Sequence, residues 1–179
     1  MEEEKNSKGG ENPMKTIRIT EVVLNCGAIG EKLERSIKML KLITGKEPVT
    51  ILSKKRIPAF GIRPGLPTGC KVTLKGKNVV PLLKRLLDAV GNQIPEKQFG
   101  TGQVSFGIRE YIEIQGVQFL REIGILGFDI SINLARAGST ISERKSKKGR
   151  VPLRHRISVE ETKMFMQKMF ETKIAEKKK

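Results

Sequence analysis

Two periodicities alternate along this chain. Residues 128–136 are the plainest stretch, with Phe128, Ile130, Ile132 and Leu134 interleaved with Asp129, Ser131 and Asn133. That period of two belongs to a strand with one buried face. The same alternation predicts a strand over 69–76, with Cys70, Val72 and Leu74 on one face and Lys71, Thr73 and Lys75 on the other. It predicts another over 104–109, where Val104, Phe106 and Ile108 oppose Ser105, Gly107 and Arg109, with Tyr111–Ile114 as its extension. Residues 16–25 and 49–54 are β-branched and apolar enough for two more strands. The alternation of the first of these breaks around Glu21 and Val23, which marks a bulge or a twist.

A spacing of three and four residues takes over elsewhere. Leu33, Ile37, Leu40 and Ile43 predict a helix over 31–44, closed by Gly45 as a C-cap residue. Leu83, Leu86, Leu87 and Val90 predict a second over 77–91, with Pro81 in its first turn. A third follows Ser158, whose spacing to Glu161 is that of a capping box and whose apolar stripe is Thr162, Phe165, Met166, Met169 and Phe170. Residues 93–103 read as loop and 115–127 as irregular. Strands apolar on one side only favour an α+β fold: a largely antiparallel sheet with helices packed on one face and two long basic loops. The open face is expected to carry Lys71, Thr73, Lys75, Arg109, Ser131 and Asn133. Residues 1–13 read as a disordered leader, 14–172 as a single domain and 173–179 as a basic tail.

Charge gives the open face a purpose. The chain has 35 Lys and Arg against 19 Asp and Glu, a formal net charge of +16. The excess is clustered. Residues 54–65 hold Lys54, Lys55, Arg56 and Arg63 without an acid, in a loop stiffened by Pro58 and Pro64. Residues 137–156 hold Arg144, Lys145, Lys147, Lys148, Arg150, Arg154 and Arg156 against the single acid Glu143. Such runs repel themselves unless a polyanion is present, so a nucleic acid is the expected partner, with an acidic membrane second. Aromatics are only 4% of the chain, with no Trp and one Tyr. Binding should therefore rest on phosphate contacts and shape rather than on stacked bases.

Candidate chemistry is sparse. The single histidine, His155, sits between two arginines with no orienting partner or nucleophile nearby, which suits a residue of a basic loop better than a catalytic base. The GAIG turn at 27–30 follows a strand and opens a helix, yet lacks the spacing of a nucleotide-binding loop. It reads equally as a phosphate contact beside Asn25 or as a tight turn that needs glycine. Cys26 and Cys70 have no Cys or His at metal-binding spacing and read as small buried hydrophobes in a reducing compartment. No enzyme activity, cofactor, metal or small-molecule substrate is expected. The start, MEEEKNSKGG, is acidic and lacks the apolar stretch of a secretory signal, and no apolar run reaches the roughly 18 residues of a membrane span. A cytoplasmic protein is expected.

Five segments resemble the large-subunit ribosomal protein five family, in its archaeal and eukaryotic branch: NPMKTIRITEVVLNCG (12–27), LITGKEPV (42–49), AFGIRPGLPTGCKVTLKG (59–76), FGIREYIE (106–113) and GFDISINLARAG (127–138). The resemblance implies an α+β fold, no enzymatic activity and a place in the central protuberance, bound to 5S rRNA and large-subunit rRNA. It implies that 5S rRNA is gripped by Asn25 in VVLNCG, Lys46 in the turn after the first helix, and Lys71 and Thr73 in GCKVT, with Lys15, Arg18 and Lys75 beside them. It further implies that the loop with Lys54, Lys55, Arg56, Phe60 and Arg63 reaches the P-site tRNA. Neighbouring ribosomal proteins are implied too, among them a small-subunit protein met at a bridge. Where many members have Gln in the GQ-x-P turn, this chain has Lys46, which donates to phosphate but cannot accept a hydrogen bond. The run of Arg144, Lys145, Lys147, Lys148, Arg150, Arg154, His155 and Arg156 suits the same branch as a contact to other RNA or to the subunit, without a fixed target. The alternative to a ribosomal constituent is a free RNA-binding module or RNA chaperone. An RNA-modifying enzyme would need a cofactor site or a catalytic dyad that the residues do not offer.

Overall fold

The computed structural model describes residues 12–76 and 79–175. Most of the expected leader, residues 77 and 78 (expected to open the second helix) and the final EKKK lie outside the described residues. The elements run β1 (Ile17–Gly27), α1 (Glu31–Thr44), β2 (Val49–Leu52), β3 (Pro67–Leu74), α2 (Val79–Ala89), β4 (Gln93–Pro95), β5 (Phe99–Gly100), β6 (Gln103–Ile108), β7 (Phe128–Arg136), α3 (Val159–Phe170) and β8 (Lys173–Ala175). Six strands form one sheet in the order β2-β3-β1-β7-β6-β5, antiparallel throughout. With its three helices this is the α+β architecture that the one-faced strands imply.

The buried face of the sheet follows the alternation. Val22, Leu24, Cys26, Cys70, Val72, Leu74, Val104, Phe106, Ile108, Phe128, Ile130, Ile132 and Leu134 join one core with helix residues such as Leu40, Leu83, Leu87 and Met166. Both helix ends read from sequence behave as expected. Gly45 adopts the left-handed conformation (φ 67°) and its N–H reaches the Lys41 carbonyl. Ser158 accepts from the Glu161 N–H while the Glu161 carboxylate accepts from the Ser158 N–H, a complete capping box.

Four details depart from the sequence reading. Residues 93–103 are not a plain loop: β4 lies parallel to β8 as a small second sheet, and β5 forms a hairpin with β6. These strands are only two or three residues long, too short to show a period, and β8 falls within the stretch read as tail. Tyr111–Glu113 is a 3-10 turn rather than an extension of β6. Tyr111 is fully buried and its hydroxyl accepts from the Leu120 N–H at 3.0 Å, which curls residues 111–126 back on themselves. Met169 is half exposed, because it lies about 100° around α3 from Phe170, whose side turns inward with Thr162 and Met166. Conversely α1 buries Ser36 and Met39 as well as Leu33, Leu40 and Ile43. Burial of Ser36 costs little, since its hydroxyl donates to the Lys32 carbonyl at 2.7 Å and accepts from the Cys26 thiol at 3.3 Å. Cys26 and Cys70 face each other across β1 and β3 as buried thiols, and burial pushes Cys70 up to about 11.

The irregularity in β1 proves decisive. The register slips between Ile19 and Glu21. Before the slip Ile17 and Ile19 share a face with Arg136 and Leu134; after it Val22 and Leu24 share one with Ile132 and Ile130. One extra residue therefore reverses the parity of the strand. Without it Arg18, an even-numbered residue like Val22, would point into the core. With it Arg18 pairs with Ala135 and joins Glu21, Val23 and Asn25 on the open face.

Candidate nucleic-acid interface

The ladders order the open face into transverse rows. One runs Val49, Lys71, Asn25, Asp129, Gly107. The next holds Thr73, Val23, Ser131 and Ser105. A third holds Glu21, Asn133 and Gln103, with Lys75 reaching in from the end of β3. The middle of a six-stranded sheet is thus left polar, with Lys71, Thr73, Lys75, Ser105 and Asp129 exposed and Asn25, Ser131 and Asn133 half-buried. A shallow depression of about 380 Å³ lies at one end of the face, bounded by Asn25, Gly107, Arg109 and Asp129.

Acids that the sequence reading left off this face alter its electrostatics. Glu21 accepts from the Asn133 amide at 2.9 Å and pairs with the Lys75 ammonium at 3.1 Å. Those two bonds, Asn133 first, hold its carboxyl below the usual carboxylate range. Glu21 is therefore a fixed negative charge and Lys75 is tied to it. Lys71 makes no bond within that cluster and stands exposed beside Asn25 and Thr73. Parity past the bulge places Glu21 here, and plain alternation places Asp129, so both were readable in the sequence.

The other expected 5S rRNA contacts fall around this face. Arg18 joins it through the bulge. Lys46 sits exposed in the turn between α1 and β2, three residues before Val49, the cross-strand partner of Lys71. Lys15 lies in the turn ahead of β1, its N–H bonded to the Asn12 carbonyl at 2.8 Å. The glycine turn at 27–30 leads into a helix whose first turn carries Glu31 and Glu34. Two carboxylates there oppose a phosphate, and Gly30 at φ 64° satisfies the tight-turn reading.

Residues 53–66 form an arm at the end of the β2–β3 hairpin. Ser53 and the segment Gly65–Leu66 close its base with two backbone hydrogen bonds of 2.9 Å. Ile57 and Ile62 form a second rung, at 2.9 and 3.1 Å, below a 3-10 turn at Pro58–Phe60. Lys54, Lys55, Arg56 and Arg63 lie on the arm, Lys54, Lys55 and Arg56 exposed and Arg63 on the returning limb. Phe60 ends that turn. It stands at the tip, 73% exposed, because the Ile57–Ile62 rung already closes the arm beneath it.

The second cationic stretch lies at the opposite end of the sheet. Gly27, Gly69 and Phe128 mark the end that bears the arm, and Ile17 and Arg136 the other. The eleven residues of β1 separate them by roughly 35 Å. Between β7 and α3 the chain makes only two 3-10 turns, Ser139–Ser142 and Leu153–His155. Gly149 donates to the Ile141 carbonyl at 3.1 Å, closing a loop that carries Arg144, Lys145, Lys147 and Lys148 at the surface. Arg150, Arg154 and Arg156 are exposed, while His155 is half-buried and donates from Nε2 to the Ala137 carbonyl at 2.8 Å. That bond makes His155 a clasp on the chain leaving β7. Among the described residues no cluster of His, Cys, Asp or Glu could hold a metal ion, and no helix is long and apolar enough to cross a membrane.

Comparison with known proteins places the chain in a family. Residues 12–63 match the family model of ribosomal protein L5, and residues 67–171 match the model of that ribosomal family's C-terminus. The chain belongs to the ribosomal protein L5 family. It is 41% identical over 169 residues to the large ribosomal subunit protein uL5 of Sulfurisphaera tokodaii, covering 92% of this chain and 96% of that one. It is 42% identical over 154 residues to the uL5 of Nanoarchaeum equitans, covering 84% and 91%. With the uL5 of Nitrosopumilus maritimus it shares 40% over 172 residues, covering 94% and 99%. The boundary between the two family models, residues 63 to 67, falls at the return of the arm into β3. As a ribosomal protein of this family the chain is a structural RNA-binding component of translation and not an enzyme.

Proposed function

We propose that the chain is the constituent of the large ribosomal subunit that holds 5S rRNA in the central protuberance through the open face of its sheet. The observation that carries this reading is the row Lys71–Asn25–Asp129 with Thr73 beside it. It puts a cation, an amide and a hydroxyl on one uncovered surface, in motifs that resemble the family's own. Lys71, Arg18, Lys46 and Lys15 meet phosphates, while Asn25 and Thr73 supply directional hydrogen bonds. The arm with Lys54, Lys55, Arg56, Phe60 and Arg63 reaches the P-site tRNA, and neighbouring proteins at a bridge link the chain to the small subunit. The protein works in the cytoplasm, as part of the ribosome.

The test of the face is the double substitution Asn25→Ala and Thr73→Ala. Neither side chain belongs to the Glu21–Asn133–Lys75 cluster or to the core, so the thermal midpoint should stay close to that of the unaltered protein. Loss of one hydrogen bond at each position costs about 1 kcal/mol, so 5S rRNA binding should weaken roughly 10- to 30-fold together. Unchanged affinity in a filter-binding titration would remove 5S rRNA from this face.

The arm is tested by neutralising Lys55, Arg56 and Arg63 with Gln. All three project past the closed base of the arm, beyond the sheet. 5S rRNA binding by free protein should persist within about twofold, while ribosomes reconstituted with the variant should hold P-site tRNA several-fold less well, since exposed phosphate contacts are screened. The reverse pattern would assign the arm to 5S rRNA.

A further inference from the structure

The sequence groups the cations of residues 144–156 without giving them a target, and the fold gives part of that group a concave setting. A pocket of about 590 Å³, open to solvent, lies where β7 ends, between Leu134–Arg136 and the loop 139–157. Arg136 forms part of its wall. Its parity on β7 is that of Leu134, so it turns toward the helices, and its Nη2 donates to the Glu161 carboxylate at 2.7 Å. The side chain is only 12% exposed, and its Nε is buried without an acceptor. Lys148, Arg150 and Arg156 complete the charged lining. Glu161 balances Arg136 alone, so three positive charges remain around one concavity. No residue of α3 lines the pocket, which leaves the cations and the Ser139 hydroxyl as the groups able to meet a ligand.

We propose that this pocket is a phosphate-binding site that takes one backbone phosphate of an RNA strand, separate from the RNA on the open face. Arg136 keeps its Nη2 on Glu161, and the unbalanced charges of Lys148, Arg150 and Arg156 around the same concavity favour an anion there. The charge-assisted bonds of a guanidinium and a nearby ammonium suit the tetrahedral oxygens of a phosphodiester. A Cβ on Gly149 would lie 2.5 Å from Ile141 Cγ2, so a side chain there would push Ile141 aside and change the loop beside the pocket. The inference rests on the reading of the chain as an RNA-binding protein, and its test separates the two.

The test is a titration of the intact protein at low salt, first with inorganic phosphate and then with a short single-stranded RNA, read by amide shifts of Gly102, Ser139 and Gly149 and by the Arg136 Nε–H resonance. Saturable shifts at these positions are expected with both probes, and the RNA should bind at least tenfold tighter than phosphate. Arg150→Gln and Arg156→Gln remove exposed side chains and should each weaken the site about 3- to 10-fold. Neither should alter 5S rRNA binding to the open face, as measured by its response to the Asn25 and Thr73 substitutions. Saturation with phosphate but not RNA would overturn the RNA assignment. Shifts that grow linearly, equally at the arm and at the pocket, would overturn the site itself. A silent pocket in a protein that still binds 5S rRNA through the open face would sink this inference and leave the function standing. Phosphate saturation in a protein that binds no RNA would do the opposite to the functional reading and would also reduce the pocket to an anion site.

Discussion

Raising monovalent salt from 50 to 200 mM should weaken 5S rRNA binding roughly 100- to 500-fold, if five cations each neutralise one phosphate and each steepens the log–log slope by about 0.7 to 0.9. The five are Lys15, Arg18, Lys46, Lys71 and Arg109, all exposed around the open face and outside the ion pairs found among the described residues. Lys75 is left out because Glu21 holds it at 3.1 Å. Glu21→Gln should therefore release Lys75, tighten binding at low salt and steepen the slope by about one further phosphate. The sign follows from Glu21 remaining ionised: the Asn133 and Lys75 bonds lower its pKa, so at neutral pH the face always carries that negative charge. Affinity measured across the salt range for both proteins decides the matter. A slope near zero would mean that phosphates are not what the face holds, and an unchanged slope in Glu21→Gln would mean that Lys75 faces no RNA.

Gly127→Ala should cost about 2 to 3 kcal/mol of stability, whereas Gly27→Ala should stay within about 0.5 kcal/mol of the unaltered protein. A Cβ on Gly127 would lie 2.6 Å from the Arg109 carbonyl oxygen and 2.7 Å from that of Ile108. Both obstacles are backbone at the end of β6, so relief requires β7 to move away from its partner. The Gly127 carbonyl also lies 3.4 Å from the Cys26 sulfur, which packs the same point against β1. A Cβ on Gly27 meets nothing within 4 Å, and its φ is not in the left-handed region. Denaturant midpoints of the two variants provide the comparison. Equal losses would mean that the entrance to β7 yields more readily than its packing suggests.

Both glycines stand in segments that resemble the family, and sequence offers no way to tell their burdens apart. That contrast holds across the molecule. The alternation at 128–136 named the faces of β7 correctly because every inward residue up to Leu134 meets the same continuous core. Ser158 and Glu161 announced their capping box because its two bonds span only three residues. Whether Phe60 packs or projects was not legible, since that depends on a rung formed across the loop by Ile57 and Ile62. Arg136 was passed over as the end of a strand. Its inward parity was visible, but its meaning needed Glu161, 25 residues away.

The sequence by itself determined the fold class, the buried faces of β3, β6 and β7, the three helices, the anionic partner and the family to which the chain belongs. These rest on local periods, on summed charge and on short motifs, all of which are written along the chain. The tertiary structure decided which polar residues share a surface. A single extra residue between Ile19 and Glu21 turns Arg18 from the core to the open face, and the pairing of β1 with β7 places that residue. The same pairing sends the two cationic stretches, alike in composition, to opposite ends of the sheet. The physical reason is that charge and hydrophobicity add along a chain, whereas register is set between strands distant in sequence, and a slip of one residue reverses every side chain beyond it.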